Sequence, residues 1–196
     1  MTKTFSAIAT GLMAGIVSLS DPASAGGDGL DAIRAATEKY HDVNVALAEG
    51  YIPDPSGACI SAAAEGLPPE LGAMGIHYLN PALLGLAPPG GRVSGSGLNT
   101  DFTTPAILLY EPQADGSLEL VGVENLVFQA AWKAAGNAAP PMFGDQVWDT
   151  MADMANTGGD EAHGFEPHYD LHVWSERKNP AGPFVAFNPG VTCPAG

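Results

Sequence analysis

The chain is short of positive charge: 7 Lys and Arg stand against 22 Asp and Glu, for a formal net charge of -15. A surface of that sign repels phosphate, which argues against nucleic acid or anionic lipid as a partner. The acids are scattered, so they favour cations near the surface only diffusely and do not by themselves make a metal site. Cysteine is also scarce, with Cys59 and Cys193 alone and no CxxC pair. No HExxH, GxSxG elbow, phosphate-binding loop or GxGxxG fingerprint occurs. Gly95-Ser96-Gly97 lacks the strand-to-helix setting that a nucleophile elbow requires. Past the N-terminal region no apolar run reaches the roughly 20 residues that span a bilayer. These absences remove the reaction classes that a short motif can announce.

What is present starts with a leader. Lys3 gives a positive start, and residues 5–19 are apolar or small apart from a few hydroxyls. Asp21-Pro22 then break the run, and Ala23-Ser24-Ala25 is a small-x-small cleavage box before Gly26. The expectation is a signal peptide over residues 1–25, no membrane anchor, and one domain over 26–196 in the periplasm or outside the cell. Loss of the leader removes one Lys and one Asp, so the charge stays at -15. In an oxidising compartment two cysteines without a third pair as a disulfide, here Cys59 with Cys193. A reduced pair holding a soft metal is the alternative.

Apolar positions Leu30, Ile33, Tyr40, Val43 and Leu47 recur at helical spacing and predict one amphipathic helix of about five turns over 30–47. Residues 74–79 read as a strand ended by Asn80-Pro81. Residues 86–104, rich in Gly, Pro, Ser and Thr, read as a long surface loop. Residues 106–111 and 118–124 flank Asp115-Gly116 as a hairpin. Short helices are expected over 128–135 and 145–155, a strand over 166–175 and a last short strand over 184–187. The sum is an α+β domain, with an N-terminal amphipathic helix packed on a curved, mainly antiparallel sheet. An all-β barrel with a leading helix is the alternative.

Several segments are specific enough to carry a resemblance. They are Met74-Gly75-Ile76-His77-Tyr78-Leu79-Asn80-Pro81, Leu109-Tyr110-Glu111-Pro112, Leu120-Val121-Gly122-Val123-Glu124 and Leu171-His172-Val173-Trp174. The ending adds Asn179-Pro180, Gly182, Phe184, Asn188-Pro189, Val191 and Cys193. Over most of the length after the leader the chain resembles a family of exported bacterial proteins of uncharacterised function. The resemblance implies one shared domain with a leader and transfers no catalytic residue.

The chemistry-bearing residues sit oddly on strands. With a period of two, Glu166, His168, Asp170, His172 and Trp174 share one face, and Tyr169, Leu171 and Val173 form the core side. His168 and His172 are then about 13 Å apart between Cα atoms, long for two ligands of one ion on a straight strand. His172 is therefore the better ligand, with Asp170 as an orienting partner and further ligands from other strands. His77 lies in an otherwise uncharged strand. Glu124 interrupts an apolar stripe that includes Leu118, Leu120 and Leu126, and a buried carboxylate needs a cation, a donor or a proton.

His77, Glu124 and His172, with His168 as a further candidate, give nitrogen and oxygen donors suited to zinc, copper, iron or manganese. The plainer readings are that His77 bonds backbone or a tyrosine, and that Glu124 pairs with Arg177, Lys178 or Arg92. His168 and Glu166 would then lie exposed at a sheet edge. His41 and His163 read as exposed, and Trp148 with Met151 as core rather than part of a cuprous methionine cluster. The functional expectation is an exported protein that binds a metal ion or small molecule through a His/Glu pocket. A metal-dependent enzyme and an interaction domain without a ligand are the alternatives.

Overall fold

A computed structural model describes residues 22–156, 160 and 162–194. The leader expected over residues 1–25 lies outside the described residues up to position 21. The fold is α+β, a mixture of short helices and one antiparallel sheet. The helices are α1 (Pro22–Thr37), α2 (Val43–Ala48), α3 (Pro81–Leu84) and α4 (Gln129–Ala134). The strands begin with β1 (Ile52–Pro53), β2 (Cys59–Ser61), β3 (Ala73–Leu79), β4 (Ile107–Pro112) and β5 (Leu118–Phe128). They continue with β6 (Met142–Phe143), β7 (Gln146–Val147), β8 (Asp149–Met151) and β9 (His168–Val173).

The seven-stranded sheet has the order β1-β3-β4-β5-β9-β8, with β2 following β1 along the outer edge of β3. Every ladder between these strands is antiparallel. The sheet does not close on itself, so the barrel alternative is excluded. Its central strands β4, β5 and β9 are buried on both faces. Against one face pack Ile33 of α1, Tyr40, Ala46 of α2, Phe102 and Trp148, over Leu108, Val123, Val127, Leu171 and Val173. Against the other lie Leu84, Phe128, Trp174 and Val191, over Leu79, Ile107, Leu109 and Leu126. Fully burying one such aliphatic side chain contributes about 1.5–3 kcal/mol, so both faces add to stability.

The single helix expected over 30–47 is divided. The chain passes through a 3-10 turn at Glu38–His41, and Asp42 adopts extended backbone and caps α2 by accepting from the Asn44 amide at 2.9 Å. Asp is a strong N-cap residue, and that local bond outcompetes continued helix. The break lets Tyr40 reach the core, where its backbone carbonyl accepts from the Tyr110 hydroxyl at 2.6 Å. Arg34 of α1 donates through Nε and Nη2 to the Ser175 carbonyl at 2.9 and 2.7 Å, tying helix to sheet.

Two further expectations are corrected. Residues 145–155 form no helix: β6 and β7 make a hairpin around Gly144-Asp145, and β8 then pairs as an edge strand with β9. Gly144 has a φ of +57°, which a two-residue hairpin turn requires and glycine supplies at little cost. The helical spacing of Trp148 and Met151 is therefore coincidental. Trp148 enters the core against Phe102, while Met151 lies opposite His168. Residues 184–187 are turn and bend, and the chain rejoins the sheet edge only through the Ala73–Asn188 bridge.

A β-bulge sets which residues face where. Leu109 pairs with Gly122 but Tyr110 pairs with Leu120, so Val121 is an extra residue. One inserted residue inverts the alternation on either side of it. Leu118 and Leu120 thus face the helices, while Glu124 shares the opposite face with Leu126 and Phe128. The single face expected to carry Leu118, Leu120, Glu124 and Leu126 together does not exist.

Cys59 and Cys193 form the disulfide, with Cα atoms 5.6 Å apart and a sequence separation of 134. The bridge fastens the C-terminal segment to β2. Closing so long a loop is worth about 4–5 kcal/mol in the chain-entropy model, with measured values often lower. Non-reducing peptide mapping should recover one Cys59–Cys193 peptide and no free thiol. The Cys59→Ser/Cys193→Ser protein should lose about 2–5 kcal/mol in urea unfolding. An unchanged unfolding midpoint would show that the bridge carries no stability.

Candidate functional site

Strand register brings the central residues together. Glu124 on β5 lies directly opposite His172 on β9. His77 on β3 pairs with Leu109, and Ile107 pairs with Glu124, so His77 reaches diagonally over β4. His77 Nε2 lies 3.2 Å from Glu124 Oε2, and His172 Nε2 lies 3.5 Å from the same oxygen. One ligand atom from each residue falls within a common span of 4.8 Å. The two imidazole rings stand 5.8 Å apart and nearly perpendicular, at 88°.

Proximity here is not hydrogen bonding. Glu124 Oε2 and His172 Nε2 are both buried and neither has a hydrogen-bond partner. His77 Nε2 is close enough to lower the Glu124 carboxyl as a donor would, but the contact is poorly aligned. Glu124 and His172 are only 4% and 3% exposed. A buried polar atom left without a partner costs about 1–3 kcal/mol, and more for a charge. Nitrogen and oxygen donors clustered in this way could hold a metal ion. Two imidazoles and one carboxylate are a donor set suited to zinc or ferrous iron.

The site's titration follows from burial and proximity. Burial pushes the Glu124 carboxyl up, but the neighbouring His172 and His77 outweigh it and hold the group at about 2. Burial pushes the His172 imidazole down, against the pull of Glu124. Among the described residues no Lys or Arg pairs with Glu124. Arg177 bonds Glu111 at 2.9 Å and Glu119 at 2.7 Å, while Arg92 bonds Asp153 and Asp160. The pairing of Glu124 with either arginine is thus replaced by its imidazole contacts.

His168 is not part of this convergence. It is buried, since β9 lies between β5 and β8 rather than at an edge, and it sits opposite Phe128 and Met151. Its Nδ1 lies 2.9 Å from the Glu166 carbonyl oxygen. Burial pushes its imidazole down as well. Glu166 is exposed, as are His41 and His163, the last of which sits 3.4 Å from Glu65.

Asp170 does not orient an imidazole by a hydrogen bond: its buried Oδ1 has no partner, and across β8 and β9 it faces Asp149. Burial first, then Glu124 and Asp149, raise its carboxyl well above the ordinary carboxylate value. Burial and the two neighbouring carboxylates thus disfavour its charged form.

His77, Glu124 and His172 open onto a cavity of about 340 Å³ that His168, Asp170, Leu126, Met151 and Phe165 also line. Sequence reasoning missed Met151, because the Gly144-Asp145 turn was passed over. It also missed Ile60, Met74 and Phe165, which come from an edge strand, a neighbouring strand position and a loop with no periodic signal. A shallower cleft beside Trp132 and Pro140-Pro141 holds no ionisable side chain.

Asp170 gives a pH test in metal-free protein. A carboxyl whose folded value is raised contributes stability that is complete below its unfolded value near 3.8 and is lost as pH rises through the folded value. Asp170→Asn should therefore unfold at a higher temperature than the parent near neutral pH, with the difference vanishing toward pH 3.8. A variant less stable than the parent near neutrality, measured by thermal melts across pH, would contradict this.

The chain matches no protein-family model, no curated protein and no solved structure, so its own geometry carries the functional reading.

Proposed function

We propose that this protein is an exported metal-binding protein holding one divalent transition ion through His77 Nε2, Glu124 and His172 Nε2. The carrying observation is that donors from three strands, half-buried His77 and buried Glu124 and His172, converge within 4.8 Å while Glu124 Oε2 and His172 Nε2 lack hydrogen-bond partners. Zinc, copper, iron or manganese fits the donor types, with zinc and ferrous iron fitting the two-imidazole, one-carboxylate set best. Export is supported by the leader pattern, by the Cys59–Cys193 bridge and by the resemblance to exported proteins.

One observation favours a second reading, a metal-dependent enzyme. The cavity beside the three donors leaves an ion coordination positions for water or substrate, as in catalytic rather than closed structural sites.

Elemental analysis of the purified, untagged protein should find one equivalent of a transition metal, or calorimetry should show stoichiometric uptake after chelation. His77→Ala and His172→Ala should each abolish stoichiometric binding. His41→Ala, His163→Ala and His168→Ala should leave it intact. Affinity should fall as pH drops through the imidazole range, because protons compete for the same lone pairs. Binding that survives loss of both His77 and His172 would refute the assignment.

A further inference from the structure

His168 lines the cavity but lies outside the metal-ligand set, and its chemistry is fixed by one contact. The Glu166 carbonyl oxygen, 2.9 Å from Nδ1, can only accept, so Nδ1 carries the proton. The neutral ring then presents a bare lone pair on Nε2, and no described residue donates to it. Phe128 and Phe165 flank the ring, with centroids at 6.4 and 5.7 Å, and hold its plane. His168 and His172 are four residues apart on an extended strand, about 13 Å between Cα atoms. Between them Asp170 reaches the cavity from the same face of β9, and Ile107, Leu126, Met151 and Phe165 supply the apolar part of the wall. The cavity thus has the three clustered donors at one end, a middle of apolar side chains interrupted by the Asp170 carboxyl, and a fixed hydrogen-bond acceptor at the other. Its volume of about 340 Å³ is at the small end of organic-ligand sites, which run from about 300 to 1,000 Å³.

We infer that the cavity binds a small organic molecule with three parts: an oxygen donor that coordinates the metal, a compact apolar body, and a hydrogen-bond donor received by His168 Nε2. This rests on the metal reading above and adds the class of ligand. His168 is then a specificity-determining residue, selecting donors over acceptors at the far end of the ligand. A site built to accept one hydrogen bond discriminates strongly against a molecule that cannot give it, because the buried acceptor is left unpaired.

The test uses the full mature chain loaded with Co²⁺, whose visible spectrum reports both metal binding and ligand entry. Four probes are titrated: acetate, phenylacetate, 4-hydroxyphenylacetate and 4-methoxyphenylacetate. Phenylacetate should bind about tenfold more tightly than acetate, reflecting the apolar middle. The 4-hydroxyl should add about a further fivefold, the worth of one net hydrogen bond, and the 4-methoxyl should not. His168→Leu should abolish the hydroxyl increment while leaving Co²⁺ affinity and phenylacetate affinity unchanged. His168→Gln, which keeps an acceptor, should retain part of the increment.

Cobalt binding with all four probes alike, or with none bound, overturns the ligand inference and leaves the metal site standing. So does a hydroxyl increment that persists in His168→Leu. No cobalt uptake by the parent chain overturns both. Should His168→Leu fail to fold, the hydroxyl and methoxyl probes on the parent chain decide the matter alone: equal affinities refute the role of His168.

Discussion

A carboxylate taken out of water must meet a cation, a proton or aligned donors, and the arrangement around Glu124 is governed by that requirement. Its Oε2 faces two imidazole nitrogens at 3.2 and 3.5 Å, yet neither N–H is aimed to satisfy it. No arginine reaches it, and its surroundings on that face of the sheet are Ile107, Leu126 and Trp174. Asp170, one register step along β9, has no imidazole contact to offset burial, and its carboxyl is raised well above the ordinary value. Two buried carboxyl groups on one sheet face are therefore shifted in opposite directions because only one has imidazoles beside it.

The rest of the fold holds this convergence in place. The Val121 bulge turns Glu124 toward His172 and away from the helices, and without it the carboxylate would point into the core beneath Tyr40 and Phe102. The disulfide fixes β2 and the C-terminal segment, which cover the outer edge of β3 where His77 sits. Antiparallel pairing on both sides of β5 then sets the spacing of the three donors with no freedom left to loops. A site carried on strands is positioned more tightly than one carried on loops.

Much of this was legible in the sequence, for identifiable reasons. His77, Glu124 and His172 stood out because a titratable residue on an apolar strand is costly, and that cost survives any change of register. The hairpin around Asp115-Gly116 and the strand at 73–79 follow from turn chemistry and alternation. The failures share one cause, the extrapolation of a regular period across a local interruption. Asp42 capped a new helix inside the expected one, Val121 inverted a stripe, and Gly144-Asp145 made a hairpin where spacing suggested a helix. His168, a candidate ligand in the sequence, stays outside the cluster, and its plainer reading at an exposed edge fails because β8, part of that same misread segment, pairs outside β9. The cavity itself was not legible, since Ile60, Met74 and Phe165 are brought to it by tertiary packing alone.

The central claim is that an ion sits between two imidazoles and one carboxylate on this sheet face, and X-ray absorption of the metal-loaded protein tests it most directly. The account predicts two imidazole nitrogens and a carboxylate oxygen in the inner shell, at about 2.0–2.2 Å for zinc, with the outer-shell scattering characteristic of histidine rings. An inner shell of oxygen alone, or one unchanged in His77→Ala/His172→Ala protein, would contradict it.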